Sequence, residues 1–478
     1  MTRRTKIVAT LGPASDSPIV LEQLLLAGTD VVRLNLSHGS VDDHIERVQT
    51  VRDLSARLGR VVAVLADLPG PKVRSGAFPE GGVFLMEGAA LRFVPGEEPS
   101  SGEIVTVDYP TLLDDVHEGD QIVLGDGAIT LTVVSNTGDA LLAVVITGGR
   151  VQGRPGVHLP AERLRITAPT EVDLALAVQM AAAKVDYLAV SFVRRAEDLR
   201  ALRRVVGAGG PRLVAKIETA PAIDALDEIL DESDALMVAR GDLGIECPLE
   251  DVPHLQKRIV RAAVEAGVPV ITATQMLESM ITAPAPTRAE VSDIANAVFD
   301  GTDALMLSAE TAIGHDPALV IRTMAKIAVR AESEANYEQW ATRLGRVQRR
   351  QWPDGADRIT QAITHAASQA ATDAGVDTIV CCTRSGRTAR AMARFRPTAR
   401  LVGISPDART AAALALSWGV IPMTMTTSNS TDEMVWLAVE SVVKAGHAAD
   451  GDLLLVLAGA PDRPTGTATD VLRIVRIE

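Results

Sequence analysis

Residues 212–242, RLVAKIETAPAIDALDEILDESDALMVARGD, decide how this chain folds. Two short apolar runs, RLVAKIE (212–218) and ALMVARGD (235–242), each end on charged residues, with an Ala/Leu-rich amphipathic segment between them. Such runs read as strands buried on both faces, and the intervening segment as a crossover helix. The same unit recurs outward as TKIVAT (5–10), DVVRLN (30–35), VVAVLAD (61–67), DYLAVSF (186–192), PVITATQ (269–275) and ALMLSAE (304–310). Eight β/α units predict a closed (β/α)8 TIM barrel rather than an open sheet. Helices are expected at Pro18–Ala27, Glu171–Ala183 and Val252–Ala266.

One interval breaks the rhythm. Between the third and fourth runs, residues 71–166 are rich in Gly and Pro, with short alternating pieces such as GEIVTVDYP and ALLAVVITGG. That reads as a small inserted β-barrel domain, a mobile cap on the barrel formed by residues 1–70 and 167–337. A polar, Arg-rich connector (RLGRVQRRQWPDGADR) opens residues 338–478, a C-terminal α/β regulatory domain. Its strands are expected in DTIVCCT, ARLVGISP, GVIPMTM, DLLLVLAG and VLRIVRI.

The 478 residues exceed one ordinary core, in keeping with several domains. A formal charge of −14 argues against nucleic acid or an anionic membrane as the main partner. Three cysteines (Cys247, Cys381, Cys382) show no metal-ligand spacing and read as reduced thiols of a cytoplasmic protein. The apolar run after MTRR is too short for a signal peptide, and no stretch reaches the ~20 residues of a membrane helix.

Active sites of such barrels sit at strand C-terminal ends. Here those ends carry Arg33, Asn35 and Ser37; Asp67; Ser191; Lys216 and Glu218; Arg240 and Asp242; Thr274 and Gln275; Ser308 and Glu310. Strand period two puts Arg33 with Asn35, and Lys216 with Glu218, on the face opposite Val32, Leu34, Ala215 and Ile217, so the charged set faces the barrel mouth. A Lys two residues before a Glu also fits an ordinary ion pair, and Asp242 after Gly241 fits a turn or cap. Charges at five or more ends of one barrel favour chemistry for the set. Glu218 and Asp242, on successive strands, suit Mg2+ or Mn2+, and Lys216, Arg33 and Arg74 suit a transferring phosphoryl group. Neither GxxxxGK[ST] nor GxGxxG occurs.

The blocks VRLNLSHG (32–39), AKIET (215–219), MVARGDLGIE (237–246), ITATQMLESM (271–280), PTRAE (286–290) and DGTDALMLSAET (300–311) resemble the signature blocks of the pyruvate kinases. The resemblance spans nearly the whole chain and implies transfer of the phosphoenolpyruvate phosphoryl group to ADP, giving pyruvate and ATP. By motif, Arg33, Lys216 and Thr274 are catalytic and substrate-binding, with the Gly241–Asp242 backbone at the substrate carboxylate. Glu218 and Asp242 hold Mg2+ or Mn2+, and Asn35, His38 and Arg74 line the nucleotide site. The enolate's proton donor stays open among Thr274, Ser308 and Glu310. The family also implies a homotetramer.

Three positions depart from the pattern: Asp43 replaces an adenine-stacking tyrosine, Pro155 (beside Arg154) a nucleotide-binding lysine, and His158 an asparagine. Many relatives hold K+ near the positions matching Asn35, Ser37, Asp67 and Leu68, with a glutamate where Lys72 stands here. Members with lysine there resemble a K+-independent group, so K+ is not expected to be required and Lys72 is its candidate substitute. In CCTRSGRTAR (381–390), Thr383, Arg384, Ser385, Gly386, Arg387 and Thr388 fit either a plain capped turn or a phosphate cradle. The loop is similar to the family's effector loop, which implies an activating sugar phosphate or nucleotide monophosphate such as AMP. A non-catalytic sensor and a barrel lyase acting on an enolate are the competing readings. The intact charged set opposes the first, and the inserted cap and extra cations oppose the second.

Overall fold

The computed structural model describes residues 3–125, 127, 129–160, 164–165, 167–350, 356–428, 430–459 and 468–478, without the side chains of 338, 348–350 and 356. Ile166, at the expected domain boundary, and residues 351–355 of the expected connector lie outside the described residues. Eight parallel strands close into a barrel: Lys6–Thr10, Val31–Asn35, Ala63–Asp67, Tyr187–Val190, Arg212–Ile217, Ala235–Ala239, Val270–Ala273 and Ala304–Leu307. Each lies within one of the eight apolar runs.

Strand parity sorts the side chains as the sequence predicts. Val32, Leu34, Ala215 and Ile217 join the core beneath the surrounding helices. Val8, Val31, Leu65, Val214 and Met237 form a separate core with Ala413, Ala415 and Leu416 of the C-terminal region. That region is fastened to the barrel by Tyr187, whose hydroxyl donates to the Ala413 carbonyl at 2.6 Å. Buried Arg396 pairs with Asp303 at 3.0 Å and lies over the Trp418 ring, while the Trp418 amide donates to Asp303 Oδ1 at 3.1 Å.

The inserted region contains a six-stranded sheet with a core of its own. Its outer strands, Ile104–Val107 and Val157–His158, are both reached by residues 73–76. The Val157 amide donates to the Val73 carbonyl, and the Gly76 amide to the Thr106 carbonyl, both at 2.9 Å. Bridges Arg74↔Gly156 and Ser75↔Val107 complete the closure, which gives this sheet its barrel-like form. The C-terminal sheet has five strands, Thr378–Cys382, Arg400–Ser405, Val420–Thr424, Leu453–Ala458 and Val471–Arg476, the last antiparallel.

The sequence reads the stretch after Tyr337 as a polar, Arg-rich connector, and within it Tyr337–Arg350 is a helix. Leu344 supplies the reason, because it is buried in the core of the C-terminal sheet. Among the described residues no helix is long and apolar enough to cross a membrane.

Candidate active site

Four charged side chains meet inside the barrel mouth. Arg33 donates from Nε to Asp67 Oδ2 at 2.8 Å and approaches the same oxygen with a second guanidinium nitrogen at 2.7 Å. Its other arm donates to Thr10 Oγ1 at 3.0 Å. Lys216 Nζ lies 3.7 Å from Asp67 Oδ1 and 3.3 Å from Glu218 Oε2, and it donates to Ser191 Oγ at 2.8 Å. Strand alternation explains the grouping, since Arg33, Asp67 and Lys216 all take inward-facing positions toward the C-terminal ends of their strands.

Burial makes the group electrostatically tense. Asp67 is 1% exposed and Glu218 0%. Burial pushes the Asp67 carboxyl up, but Lys216 and Arg33 outweigh it and hold it below the usual carboxylate range. Burial likewise pushes the Lys216 ammonium down, and Asp67 with Glu218 reverse this, raising it above its ordinary value. Glu218 goes the other way: burial lifts its carboxyl to about 7 despite Lys216, with Asp242 adding to the rise. Its Oε1 accepts from the Phe192 amide at 2.7 Å, while buried Oε2 has no hydrogen-bond partner among the described residues.

That orphaned oxygen tests the fit of a metal. A buried acceptor left unsatisfied is costly unless a cation completes it. Glu218 and Asp242 are hard oxygen donors following adjacent strands, and Mg2+ commonly takes one or two carboxylates and fills its remaining positions with substrate oxygens or water. The residues fit the ion. No group of three or more His, Cys, Asp or Glu side chains placed to hold a metal ion occurs among the described residues.

Gly241 and Asp242 open a short helix, Arg240–Glu246, directly after the sixth strand. The Gly241 amide donates to Thr274 Oγ1 at 2.9 Å, uniting two of the expected substrate-binding elements. Arg240 does not join the charged ring. The helix starts at Arg240, strand parity lapses, and the side chain turns to Asp293 and to the carbonyls of Ala273 and Thr274. Glu310 accepts from the Leu277 amide at 3.1 Å and the Ser308 amide at 2.7 Å, holding the loop beyond Thr274.

A cleft of about 320 Å³ separates the barrel mouth from the inserted domain, with His38, Lys72, Arg74, His158, Asp242 and Glu246 in its wall. Lys72 Nζ donates to Ser37 Oγ at 3.3 Å, and the Ser37 amide donates to Asn35 Oδ1 at 3.2 Å. The Leu68 carbonyl accepts from Ser191 Oγ at 2.7 Å. Asn35, Ser37, Asp67, Leu68 and Lys72 therefore sit together. Arg74 donates to the Arg154 carbonyl at 3.1 Å. Asp43, at the expected aromatic position, accepts from the Ser40 amide at 3.1 Å and closes a capping box on helix Val41–Leu58.

The loop 383–388 follows its strand and leads into helix Arg387–Ala393. The Gly386 amide donates to Thr383 Oγ1 at 2.9 Å, Arg387 pairs with Asp357, and buried Thr388 meets Thr469 at 2.7 Å. Thr410 Oγ1 donates to the Arg384 carbonyl at 3.0 Å, and Arg212 donates to the Ser385 carbonyl at 2.9 Å. The six residues thus form one braced turn against the barrel.

Sequence reasoning omitted Thr10 and did not assign Ser191 or Glu310 a positioning role. Thr10 and Ser191 end inward-facing runs on polar residues, which was the available signal.

The family descriptions "Pyruvate kinase, barrel domain" and "Pyruvate kinase, alpha/beta domain" match residues 2–321 and 361–475. The chain is 41% identical to a pyruvate kinase of Methylorubrum extorquens, covering 99% of this chain and 97% of that one. It is 37% identical to one of Clostridium acetobutylicum over the full length of both. Against one of Geobacillus stearothermophilus it is 40% identical, covering 99% of this chain and 80% of the relative.

Proposed function

The chain belongs to the pyruvate kinase family, and from that premise we propose how its own residues perform the reaction. The reaction is phosphoryl transfer from phosphoenolpyruvate to ADP, giving pyruvate and ATP in the last step of glycolysis. The observation that carries the residue assignment is the buried meeting of Arg33, Asp67, Lys216 and Glu218 at the barrel mouth.

Arg33 and Lys216 bind the substrate phosphate. Asp67 fixes both cations, so their charge is oriented before substrate arrives and little reorganisation is needed in the transition state. Lys216 stays an ammonium throughout, since its raised pKa leaves it no proton to give near neutrality. Glu218 and Asp242 hold Mg2+ or Mn2+, which when bound supplies positive charge against the phosphoryl and enolate oxygens. The Gly241–Asp242 backbone takes the substrate carboxylate beside Thr274, whose Oγ1 the Gly241 amide holds at 2.9 Å and whose hydroxyl lies at the enolate end.

ADP lies in the cleft against Asn35, His38 and Arg74, with the inserted domain (residues 71–166) as a mobile cap over the barrel of 1–70 and 167–337. Asp43 serves the helix cap and leaves base stacking to other residues. Lys72 supplies the charge that K+ supplies elsewhere, so K+ is not required. The turn Thr383–Thr388 in the regulatory domain (338–478) takes a phosphorylated activator, a sugar phosphate or AMP. The enzyme is a cytoplasmic homotetramer.

A coupled assay with phosphoenolpyruvate, ADP and Mg2+ should show pyruvate formation that falls at least about 1000-fold in Lys216→Met. A Lys216→Met variant with ordinary turnover would overturn the residue assignment.

A further inference from the structure

Thr274 and Gln275 both adopt left-handed backbone conformations, with φ of +68° and +53°. For a β-branched residue that is an outlier which surroundings must enforce. The contacts on this turn come from Arg240, and they are anchored on one helix, Arg288–Asp300. Asp293 on that helix binds one guanidinium nitrogen of Arg240 with both oxygens, at 2.8 and 2.7 Å. The rest of that guanidinium reaches under the strained turn, donating from Nε to the Ala273 carbonyl at 3.0 Å and from its second arm to the Thr274 carbonyl at 2.5 Å. Glu290, one turn earlier, takes the Ser279 amide at 2.8 Å and the Ser279 hydroxyl at 2.6 Å, tying down the far end of the same loop.

We propose that Arg240, anchored by Asp293, is a positioning residue that holds the Thr274 peptide in its left-handed conformation and thereby sets the Thr274 hydroxyl at the enolate end of the site. The proposal rests on the reading of Thr274 given above. A planar cation with several fixed donors is what this task requires, because two successive carbonyls and a carboxylate must be held in one geometry. Released from Arg240, the 274–275 backbone relaxes toward ordinary φ, and Thr274 Oγ1 leaves the Gly241 amide that now donates to it at 2.9 Å. Arg240 touches no reacting atom; its effect passes through Thr274.

The test uses the full-length enzyme and four variants: R240M, D293N, T274A and R240M/T274A. Each is assayed for kcat, for KM toward ADP, for Mn2+ affinity, and for exchange of pyruvate methyl protons with D2O. R240M should lower kcat and methyl exchange together by about 10- to 100-fold, the scale of a misplaced catalytic group, with ADP KM and Mn2+ affinity within about twofold of wild type. The double variant should be no slower than T274A, because two changes acting through one group do not add. Additive losses, or a fall in Mn2+ affinity matching the fall in kcat, would overturn the proposal. Wild-type turnover in T274A would refute the reading of Thr274 itself, and a slow R240M in that case would place Arg240 in some other role. Should R240M not fold, D293N carries the test. Its side chain is 37% exposed, and an unchanged kcat in D293N would equally overturn the clamp.

Discussion

Lys216 Nζ stands 3.3 Å from Oε2 of Glu218, a buried oxygen without a hydrogen-bond partner among the described residues. The ammonium alone does not compensate that carboxylate, because burial still lifts Glu218 to about 7. A carboxyl raised in the folded state stabilises the metal-free protein at low pH. That contribution is complete below about 4.5 and fades as pH climbs toward about 7. Metal binding has the opposite dependence, since it requires the ionised form. Mn2+ affinity should weaken by about tenfold per pH unit below about 7. Titration by electron spin resonance on either side of neutrality checks this, and an affinity flat across that range would contradict it.

Ser191 links the Lys216 ammonium to the end of the third strand, accepting from Lys216 at 2.8 Å and donating to the Leu68 carbonyl at 2.7 Å. Ser191→Ala removes that tether while Asp67 and Glu218 still attract Lys216. The expected result is a kcat loss of about tenfold from a less well oriented ammonium. Unfolding free energy should fall by about 1 kcal/mol, the ordinary worth of one buried hydrogen bond. Steady-state kinetics and denaturant melts measure the two together, and a stability loss with unchanged kcat would leave Ser191 a structural role only.

The barrel and the inward charged set were legible because both follow from strand alternation, which needs only local sequence. Arg33, Asp67, Lys216 and Glu218 each announced themselves as a charge ending an apolar run. Arg240 was counted in the ring as a strand-end charge, but it lies one residue past the strand, where a helix has begun. The use of Asp43 as a cap could be found locally, since Ser40 stands three residues before it. The Glu310 contact to Leu277 could not, because nothing near Glu310 in sequence identifies the distant turn it holds. The helix Tyr337–Arg350 hid behind its arginines, its burial resting on few residues such as Leu344.

Lys72 tests the role of monovalent charge. Its ammonium reaches Ser37, and its pKa is pushed down by desolvation in the cleft and by Lys216 and Arg74, with Asp242 and Asp67 opposing. Lys72→Glu changes the local charge by two units, each worth roughly 1–4 kcal/mol at about 4 Å in surroundings between water and a protein surface. The wild type should run equally well in tetramethylammonium and K+ salts, whereas K72E should need K+. A wild type that depends strongly on K+ would reject the substitution of lysine for the ion.

Arg396 governs how the C-terminal region is fastened. Its removal leaves Asp303 buried and short of its partner, and stranding one member of a buried ion pair costs about 3–5 kcal/mol. Arg396→Met should therefore lower the melting temperature markedly, while the Arg33, Lys216 and Glu218 contacts lie elsewhere and the KM for phosphoenolpyruvate changes little. Calorimetry decides the point: a loss of that size shifts the melting temperature of a 478-residue chain by about 3–5 °C, and an unchanged melting temperature would show that the pair adds nothing net.

Gly70 packs the segment after the third barrel strand against the buried charged group. Its φ is +69°, and a Cβ placed there would lie 2.7 Å from Ser191 Cβ and 2.9 Å from Phe192 Cδ2. Those two neighbours hold Lys216 through the Ser191 hydroxyl and Glu218 through the Phe192 amide. Gly70→Ala must therefore push on both halves of the site, whatever it does to the cap. Gly59 provides the control. It has a similar φ of +61° with nothing within 4 Å, so Gly59→Ala adds backbone strain alone. Both variants should lose about 1–2 kcal/mol of stability from the left-handed backbone. Only Gly70→Ala should also lose kcat, by about 10- to 100-fold, together with Mn2+ affinity. Equal kinetics in the two variants would mean that the Ser191–Phe192 segment can yield without disturbing Lys216 and Glu218.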